Sequence, residues 1–333
     1  MQIALIIAIG FLAGITTHQV TSRTEFTWNG HPFHPIGFNY FTKYYHGYGF
    51  WVNYNETEIR ADLAIIKQLG GNCLRTFIPW HLFEPVMGIY DESYVDRLVS
   101  FYNLASEYDV AIICAFFDNN NPAWLVPDAD AMYTNQAFIA AQAAHLQHLI
   151  ARISNTKAAF AWELGSRPES NTVSIGAFLD YLSTLRTSIQ AIDTSHYIII
   201  GDAYGNFRDP YAFSKHVDAI CVAYYKDINE PAWEDTFKNY ITYLQGTGKP
   251  VLLEEFGAAT WNTTTEARQA EYYQTVLRCC DQAHVAGALA WCLRDYMPVL
   301  WKESERHMGV IRVDGTWKAA AFVFQEYVAR NAQ

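Results

Sequence analysis

The residues Ala111-Ile-Ile-Cys-Ala-Phe-Phe117 form an unbroken apolar run, and comparable runs recur along the chain. Runs of this kind are expected of parallel β-strands that are covered on both faces. Eight such segments alternate with helical patterns: His34–Phe41, Asn72–Ile78, Val110–Phe117, Ala159–Gly165, Tyr197–Asp202, Ala219–Tyr225, Pro250–Phe256 and Gly287–Leu293. Eight strand–helix repeats in 333 residues predict an α/β fold, a single-domain (β/α)8 TIM barrel.

The segments between these strands carry apolar residues at helical spacing. Glu58–Leu69, for example, places Ile59, Leu63 and Ile66 near one face. Further helices are predicted at Asp91–Tyr108, Asn135–Ile153, Ser174–Ile192, Trp233–Leu244, Thr265–His284 and Thr316–Ala329, with a short one near Pro210–Lys215. An open doubly wound sheet is the alternative, but no GxGxxG follows the first strand, so its nucleotide-binding version lacks its main signal.

Residues 1–22 are predicted to be a signal peptide or an N-terminal apolar segment, and the barrel is predicted to occupy residues 23–333. The apolar run Ile3–Gly14 is too short to span a bilayer and fits the hydrophobic region of a signal peptide. An apolar strand or a lipid-facing anchor is the alternative, and whether the segment is cleaved stays open. The expected location is secreted or extracytoplasmic, with no transmembrane span in the mature chain.

The composition disfavours some classes of partner. Apolar residues make up 51% of the chain and charged residues 17%, so a large core can form and disorder is excluded. The net charge of −11 disfavours binding to nucleic acid, which needs clustered Lys and Arg. The six cysteines have no zinc-type spacing and are predicted to be buried free thiols, so we expect no metal and no cofactor.

The barrel prediction also locates the chemistry, because active sites lie at the carboxyl ends of barrel strands. Those ends are rich in aromatic rings, carboxylates and amides, which suits a polyhydroxylated ligand whose C–H faces rest on rings. Candidate ligand contacts at these positions are Arg75, Trp80, Asp118, Asn119, Ser166, Tyr225 and Trp291.

Glu255 ends the seventh strand, and its carboxylate is expected to point into the barrel mouth. There it could attack an anomeric carbon and form a glycosyl-enzyme intermediate. Arg75, which ends the second strand, could lie close and keep Glu255 ionised; an ordinary buried ion pair is the alternative. Glu254 is expected to face the other side of the strand and to be structural.

A retaining glycosidase needs a second carboxyl group about 5–5.5 Å from the first. The fourth strand is its natural source, but the inward-facing position there is Arg167, which cannot act as a proton donor at neutral pH. Glu163 faces the same way but lies roughly 13 Å deeper. Glu169 lies past Pro168 and would have to swing in.

Several motifs, in order, resemble the cellulase–mannanase type of glycoside hydrolase, the retaining (β/α)8 enzymes of family 5, with endo-β-mannanases nearest. The resemblance runs from about Phe26 to the C-terminus. The motifs are Phe26-Thr-Trp-Asn-Gly-His-Pro-Phe, Gly37-Phe-Asn-Tyr, Gly70-Gly-Asn-Cys-Leu-Arg-Thr-Phe, Glu84-Pro, Gly88-Ile-Tyr-Asp-Glu, Lys249-Pro-Val-Leu-Leu-Glu-Glu-Phe-Gly, Gly287-Ala-Leu-Ala-Trp and Gly309-Val-Ile-Arg-Val-Asp-Gly-Thr-Trp-Lys.

This resemblance implies that Glu255 is the nucleophile, Arg75 its partner, Tyr225 a neighbour on the sixth strand and Trp291 a sugar platform. It also implies an acid/base glutamate within Trp-Glu-Leu-x-Asn-Glu-Pro on the fourth strand. The chain departs from the family at that point. Ser166 stands where the family has the Asn that binds the sugar 2-hydroxyl, and Arg167 stands where it has the acid/base glutamate.

These residues leave three functional hypotheses. The first is a catalytically degenerate glycosidase that still binds β-linked oligo- or polysaccharides. The second is an active O-glycosyl hydrolase or transglycosylase that uses Glu255 as nucleophile and takes its acid from Glu169, Asp118 or the substrate. The third is a barrel that binds another protein instead of carbohydrate.

Overall fold

The computed structural model describes residues 25–44, 48–117, 130–166, 173–203, 209–297 and 303–331. Within these ranges lie strands β1 (Phe26–Trp28), β2 (His31–Phe33), β3 (Ile36–Asn39), β4 (Cys73–Ile78), β5 (Ala111–Phe116), β6 (Ala159–Ser166), β7 (Tyr197–Ala203), β8 (Ala219–Ala223), β9 (Val251–Phe256) and β10 (Gly287–Ala290). Strands β3 to β10 close into a parallel barrel, with β10 paired to β3. The predicted single-domain (β/α)8 barrel is confirmed, and each predicted strand coincides with one barrel strand.

The helices cover the outside of the barrel, and their first turns follow local capping rules. Asn55, Asp91, Asn135, Ser174 and Thr265 each accept a backbone N–H that the following helix cannot pair itself. No helix in the described ranges is both long and apolar enough to cross a membrane. The helices are α1 (Tyr48–Val52), α2 (Glu56–Gln68), α3 (Trp80–Phe83), α4 (Glu92–Glu107), α5 (Ala131–Thr134), α6 (Gln136–Ile153), α7 (Ile175–Gln190), α8 (Pro210–Phe213), α9 (Trp233–Gln245), α10 (Glu266–Gln282) and α11 (Ala319–Asn331), with a 3₁₀ helix at Glu303–His307.

A hairpin that sequence reasoning missed precedes the barrel. Strands β1 and β2 pair through a two-residue turn in which Asn29 and Gly30 both have positive φ. An Asn-Gly pair favours this turn, because both central residues must adopt the left-handed region. Phe26 packs edge-on against Phe160 and Tyr197, so the hairpin covers the amino-terminal end of the barrel.

The barrel interior has an apolar lower part and a charged upper part. A buried cluster joins the inward-facing residues of the lower part, among them Cys73, Ala111, Ile113, Ile199, Ala219, Cys221, Leu252 and Leu289. Farther along the same strands, Asn39, Arg75, Glu163 and Glu254 are fully buried. Alternation along each strand brings these side chains to one axis, and the charged layer leads toward the end where barrel enzymes bind substrate.

An ion pair joins the first and last repeats of the barrel. Asp62 on α2 accepts from Arg294, which follows β10, and also from the hydroxyl of Tyr40 at 3.3 Å. Burial raises the pKa of Asp62 although Arg294 opposes that change. The charged carboxylate therefore depends on its partner for stabilisation.

Replacing Arg294 by methionine is expected to destabilise the fold by about 3–5 kcal/mol, because it leaves Asp62 buried without a counter-charge. Urea unfolding followed by circular dichroism measures this change. Arg152→Met is the control: Arg152 pairs with Glu92 and Asp96 on an exposed face, where such pairs contribute at most about 1 kcal/mol. Equal losses of unfolding free energy in the two variants would contradict the proposed contribution of the Arg294–Asp62 ion pair to stability.

Candidate active site

Strands β4, β6 and β9 and the segment after β8 bring together Arg75, Glu163, Glu255 and Tyr225. Arg75 lies at the centre of this group and is completely buried. Its Nε and Nη2 donate to the two carboxylate oxygens of Glu163 at 2.6 and 2.7 Å. Its Nη1 donates to Glu255 Oε1 at 2.6 Å and to Asn39 Oδ1 at 2.8 Å. The predicted proximity of Arg75 and Glu255 is therefore present.

Glu255 receives a donor on each carboxylate oxygen. Arg75 supplies one, and the hydroxyl of Tyr225 donates to Oε2 at 2.9 Å. The Glu255 side chain is 4% exposed, whereas Tyr225 is 40% exposed, so this pair lies where the buried layer meets the solvent. Two donors fix the carboxylate and favour its ionised form, which is the state that a nucleophile requires.

Glu254 does not turn away from the barrel axis, so the predicted facing of this residue is wrong. Its Oε2 lies 3.8 Å from Arg75 Nε, and the side chain is completely buried. Glu254 keeps the inward facing of Leu252, two residues earlier on β9. The pairing of β8 with β9 shifts register between Val222 and Ala223, which lets the adjacent Glu255 reach Arg75 as well. A Cβ atom built on Gly201 would lie 1.9 Å from a Glu254 carboxylate oxygen, so the glycine makes room for this side chain.

The three carboxylates outweigh the cost of burying Arg75. Burial by itself lowers its pKa, but attraction to Glu163, then Glu254, and then Glu255 raises the pKa of the guanidinium well above its ordinary value. Arg75 therefore stays charged throughout the working range of pH.

Trp80 is completely buried, and this placement does not support the predicted contact with substrate. Its indole N–H donates to Glu84 Oε2 at 2.6 Å, and its ring packs edge-on against Phe117. Glu84 also accepts from His145 at 2.8 Å and from the Gly88 N–H at 2.6 Å. Burial works against ionisation, yet these donors lower the pKa of Glu84. The hydrogen bonds of Trp80 and Glu84 thus stabilise the segment that follows β4.

The other predicted contacts have different outcomes. Trp291 follows β10 and is 8% exposed, with Phe41 and Phe77 against its ring; its role as a platform remains a prediction. The backbone of Ser166 ends β6 and pairs with Gly201. The predicted site residues Arg167, Asp118 and Asn119 lie outside the described residues.

Sequence reasoning missed two members of the group. Asn39 accepts from Arg75 and donates through Nδ2 to the backbone carbonyl of Glu254 at 2.7 Å. For Glu163 the sequence indicates only a proton donor that lies too deep to reach substrate. Both residues lie on barrel strands that end at the same face as Arg75, which is the signal that could have identified them.

All six cysteines are buried and reduced, as predicted. In the ranges that the structure covers, no group of three His, Cys, Asp or Glu side chains is arranged to hold a metal ion. The described polar groups around Arg75 are carboxylates, the amide of Asn39 and the phenol of Tyr225.

Comparison with known proteins identifies relatives of this arrangement. Residues 24–296 match the model of the cellulase family, glycosyl hydrolase family 5. Mannan endo-1,4-beta-mannosidase A of Hypocrea jecorina is 25% identical over 165 residues, which are 41% of this chain and 38% of the relative. The alignment thus spans less than half of either protein.

Solved structures resemble the whole barrel. An exo-beta-1,4-mannosidase from Opitutaceae bacterium strain TAV5 superposes with a TM-score of 0.82 at 20% identity, covering 92% of this chain and 61% of the other. A GH5_18 protein from Streptomyces cattleya in complex with Manβ1-4GlcNAc gives 0.76 at 18% identity, covering 89% and 80%. At these identities the similarity establishes the shared fold.

Proposed function

Because the chain belongs to the cellulase family, glycosyl hydrolase family 5, we propose that it binds β-linked glycans at the carboxyl end of its barrel. We further propose that Glu255 is a competent nucleophile and that the chain lacks the acid/base glutamate of an efficient glycosidase. The protein is thus a degenerate glycosidase that binds carbohydrate and turns over unactivated glycans very slowly.

The geometry around Glu255 is the observation that carries the proposal. A carboxylate that accepts from Arg75 on one oxygen and from Tyr225 on the other is fixed in orientation and adjacent to solvent, and both donors favour its charged form. Those are the conditions for attack on an anomeric carbon and formation of a covalent glycosyl-enzyme. A purely structural ion pair would have no need of Tyr225, whose ring is partly open to solvent.

The deficiency lies on the fourth barrel strand. Glu163 donates nothing to a leaving group, because both of its oxygens accept from Arg75 and its side chain has no exposed surface. The resemblance of Trp162-Glu-Leu-Gly-Ser-Arg-Pro168 to the family's Trp-Glu-Leu-x-Asn-Glu-Pro implies that Arg167 stands where the family has its acid/base glutamate. General acid–base catalysis contributes about 10²–10⁴ in rate, so its loss leaves a nucleophile without assistance for the departing sugar.

The relatives favour a mannose-containing ligand. The Hypocrea protein is named a mannan endo-1,4-beta-mannosidase, and the Streptomyces protein holds Manβ1-4GlcNAc. We therefore propose β-1,4-linked mannosides as the preferred glycan. Secretion is also proposed, on the apolar run Ile3–Gly14 near the N-terminus.

The rate should depend strongly on the leaving group. With 2,4-dinitrophenyl β-mannoside, whose leaving group departs without protonation, we expect slow but measurable release of dinitrophenol. With mannotetraose we expect a rate lower by about 10²–10⁴, the contribution of the missing general acid. Sodium azide should accelerate the first reaction when deglycosylation limits it, because azide attacks the intermediate without a general base, and β-mannosyl azide should accumulate.

Binding is measured separately by the rise in melting temperature with increasing mannotetraose concentration. Hydrolysis of mannotetraose at an ordinary enzymatic turnover, about 1–10³ s⁻¹, would contradict the proposed degeneracy. If neither reaction nor a thermal shift is found with mannosides or cello-oligosaccharides, the carbohydrate proposal itself fails.

A further inference from the structure

Arg75 donates more hydrogen bonds to one of its carboxylate partners than to the other. One edge, formed by Nε and Nη2, meets Glu163 in a two-bond fork, whereas Glu255 receives a single bond from Nη1. All three side chains are at most 4% exposed. Solvent therefore screens these charges poorly, and each carboxylate affects the other through the shared arginine.

We propose that Glu163 is a positioning residue that sets the ionisation of Glu255. It does so by accepting two hydrogen bonds from Nε and Nη2 of Arg75 and by offsetting part of the positive charge of the guanidinium. This inference rests on the proposed role of Glu255 as nucleophile. Glu163 itself touches no substrate in this scheme and acts only through the arginine.

The chemistry explains why such a residue is useful. An arginine that faced Glu255 alone in a buried site would stabilise the carboxylate strongly, and a strongly stabilised carboxylate is a weak base and a poor nucleophile. A second carboxylate on the same guanidinium moderates that stabilisation. Among its neighbours, Glu163 makes the largest favourable contribution to the raised pKa of Arg75, ahead of Glu254 and Glu255.

The fork also fixes the plane of the guanidinium. Two parallel N–H···O bonds define an orientation that a single bond leaves free. With Glu163 in place on β6, the remaining Nη1 of Arg75 points at both Asn39 and Glu255. Asn39 is itself held by the Glu254 carbonyl, so the orientation has support from a second strand.

Two substitutions of Glu163 separate the effect of its charge from the effect of its side-chain length. Glu163→Gln removes the charge and keeps an acceptor oxygen, while Asn39 and Glu255 still hold Nη1. The Glu255 carboxylate then feels more of the guanidinium charge, so its titration midpoint should move to lower pH by about one pH unit or more. Glu163→Asp keeps the charge with a shorter arm and should retain a midpoint close to that of the unmodified protein.

The midpoint is read by ¹³C NMR of glutamate carboxyl-labelled protein, with the Glu255 signal assigned by its loss in Glu255→Gln. Covalent trapping by 2,4-dinitrophenyl 2-deoxy-2-fluoro-β-mannoside, followed by intact mass across pH, provides the kinetic counterpart. The acid limb of the trapping rate plotted against pH should move to lower pH in Glu163→Gln, and the plateau rate should be lower than in the unmodified protein.

Glu84→Gln is the matched control, since Glu84 is equally buried but belongs to the Trp80 and His145 contacts. It should lower stability without moving the Glu255 midpoint. A folded Glu163→Gln protein whose midpoint stays in place or rises overturns the inference. If the protein is never trapped by the fluoroglycoside, the nucleophile proposal fails, whereas the NMR titration still tests the coupling.

Discussion

Replacing Glu255 by glutamine is expected to abolish covalent trapping by a fluorinated dinitrophenyl mannoside. It should also reduce hydrolysis of dinitrophenyl β-mannoside to nearly the uncatalysed rate. Loss of a catalytic nucleophile typically costs on the order of 10⁴-fold or more in turnover. The readouts are a missing adduct in the intact mass spectrum and the initial rate of dinitrophenol release.

The size of this effect follows from the surroundings of Glu255. Glutamine keeps the volume and can still accept from Arg75, but it carries no negative charge and cannot form a stable ester with the anomeric carbon. The other carboxylates that contact Arg75, Glu163 and Glu254, are completely buried. They offer no accessible substitute at the solvent boundary where Glu255 meets Tyr225.

Glu254→Gln provides the matched control for this experiment. Glu254 is the preceding residue on the same strand, and it lies 3.8 Å from the same arginine. A general electrostatic disturbance would affect both variants, whereas a nucleophilic role predicts that only Glu255→Gln loses the adduct. Trapping that survives in Glu255→Gln and maps to another residue would remove Glu255 from the reaction.

The strand pattern of the barrel could be predicted because each strand is covered on both faces. The run Ala111–Phe117 is apolar throughout, and the structure places its strand at Ala111–Phe116. The observed strand ends differ from the predicted ones by one to a few residues. Hydrogen bonding between neighbouring strands determines where each strand ends, and composition does not reveal it. The hairpin at Asn29-Gly30 was missed although its turn residues were visible, because its strands have only three residues each.

The site was predictable as far as strand ends determine it. Arg75 and Glu255 lie on parallel strands whose carboxyl ends meet at one face, so their contact could be expected from topology. The prediction that Arg75 ends its strand is wrong, because it is the third of the six residues of β4. The inward facing of Glu254 follows from alternation with Leu252, whereas the contact of the adjacent Glu255 with the same arginine depends on a register shift between β8 and β9 that leaves no mark in the sequence. Trp80 follows its strand too, yet the hydrogen bond to Glu84 holds the ring in the core.

Replacing Arg167 by glutamate is expected to raise kcat/KM on mannotetraose by about 10²–10⁴, the contribution of a general acid. The neighbours of Arg167 along the chain support this expectation. Ser166 ends strand β6 opposite Gly201, after a register shift between Glu163 and Ser166. The resemblance of Trp162-Glu-Leu-Gly-Ser-Arg-Pro168 to the family's Trp-Glu-Leu-x-Asn-Glu-Pro implies that residue 167 stands at the acid/base position. A carboxyl group there would come from the strand that supplies the acid/base residue in the family.

Three comparisons make the test specific. Arg167→Gln removes the positive charge without supplying an acid and should give no such gain. Ser166→Asn combined with Arg167→Glu should exceed the single variant, since the amide can bind the sugar 2-hydroxyl in the transition state. Dinitrophenyl β-mannoside should gain little in its glycosylation step from Arg167→Glu alone, because its leaving group needs no proton.

The pH dependence distinguishes a restored general acid from relief of an unfavourable charge. A carboxyl group that donates a proton must be protonated while Glu255 is ionised, so kcat/KM on mannotetraose should become bell-shaped in Arg167→Glu, with a new alkaline limb. Simple removal of the arginine charge leaves that limb absent. An equal gain in Arg167→Gln, or a gain in Arg167→Glu without the alkaline limb, would show that position 167 does not hold the acid/base function.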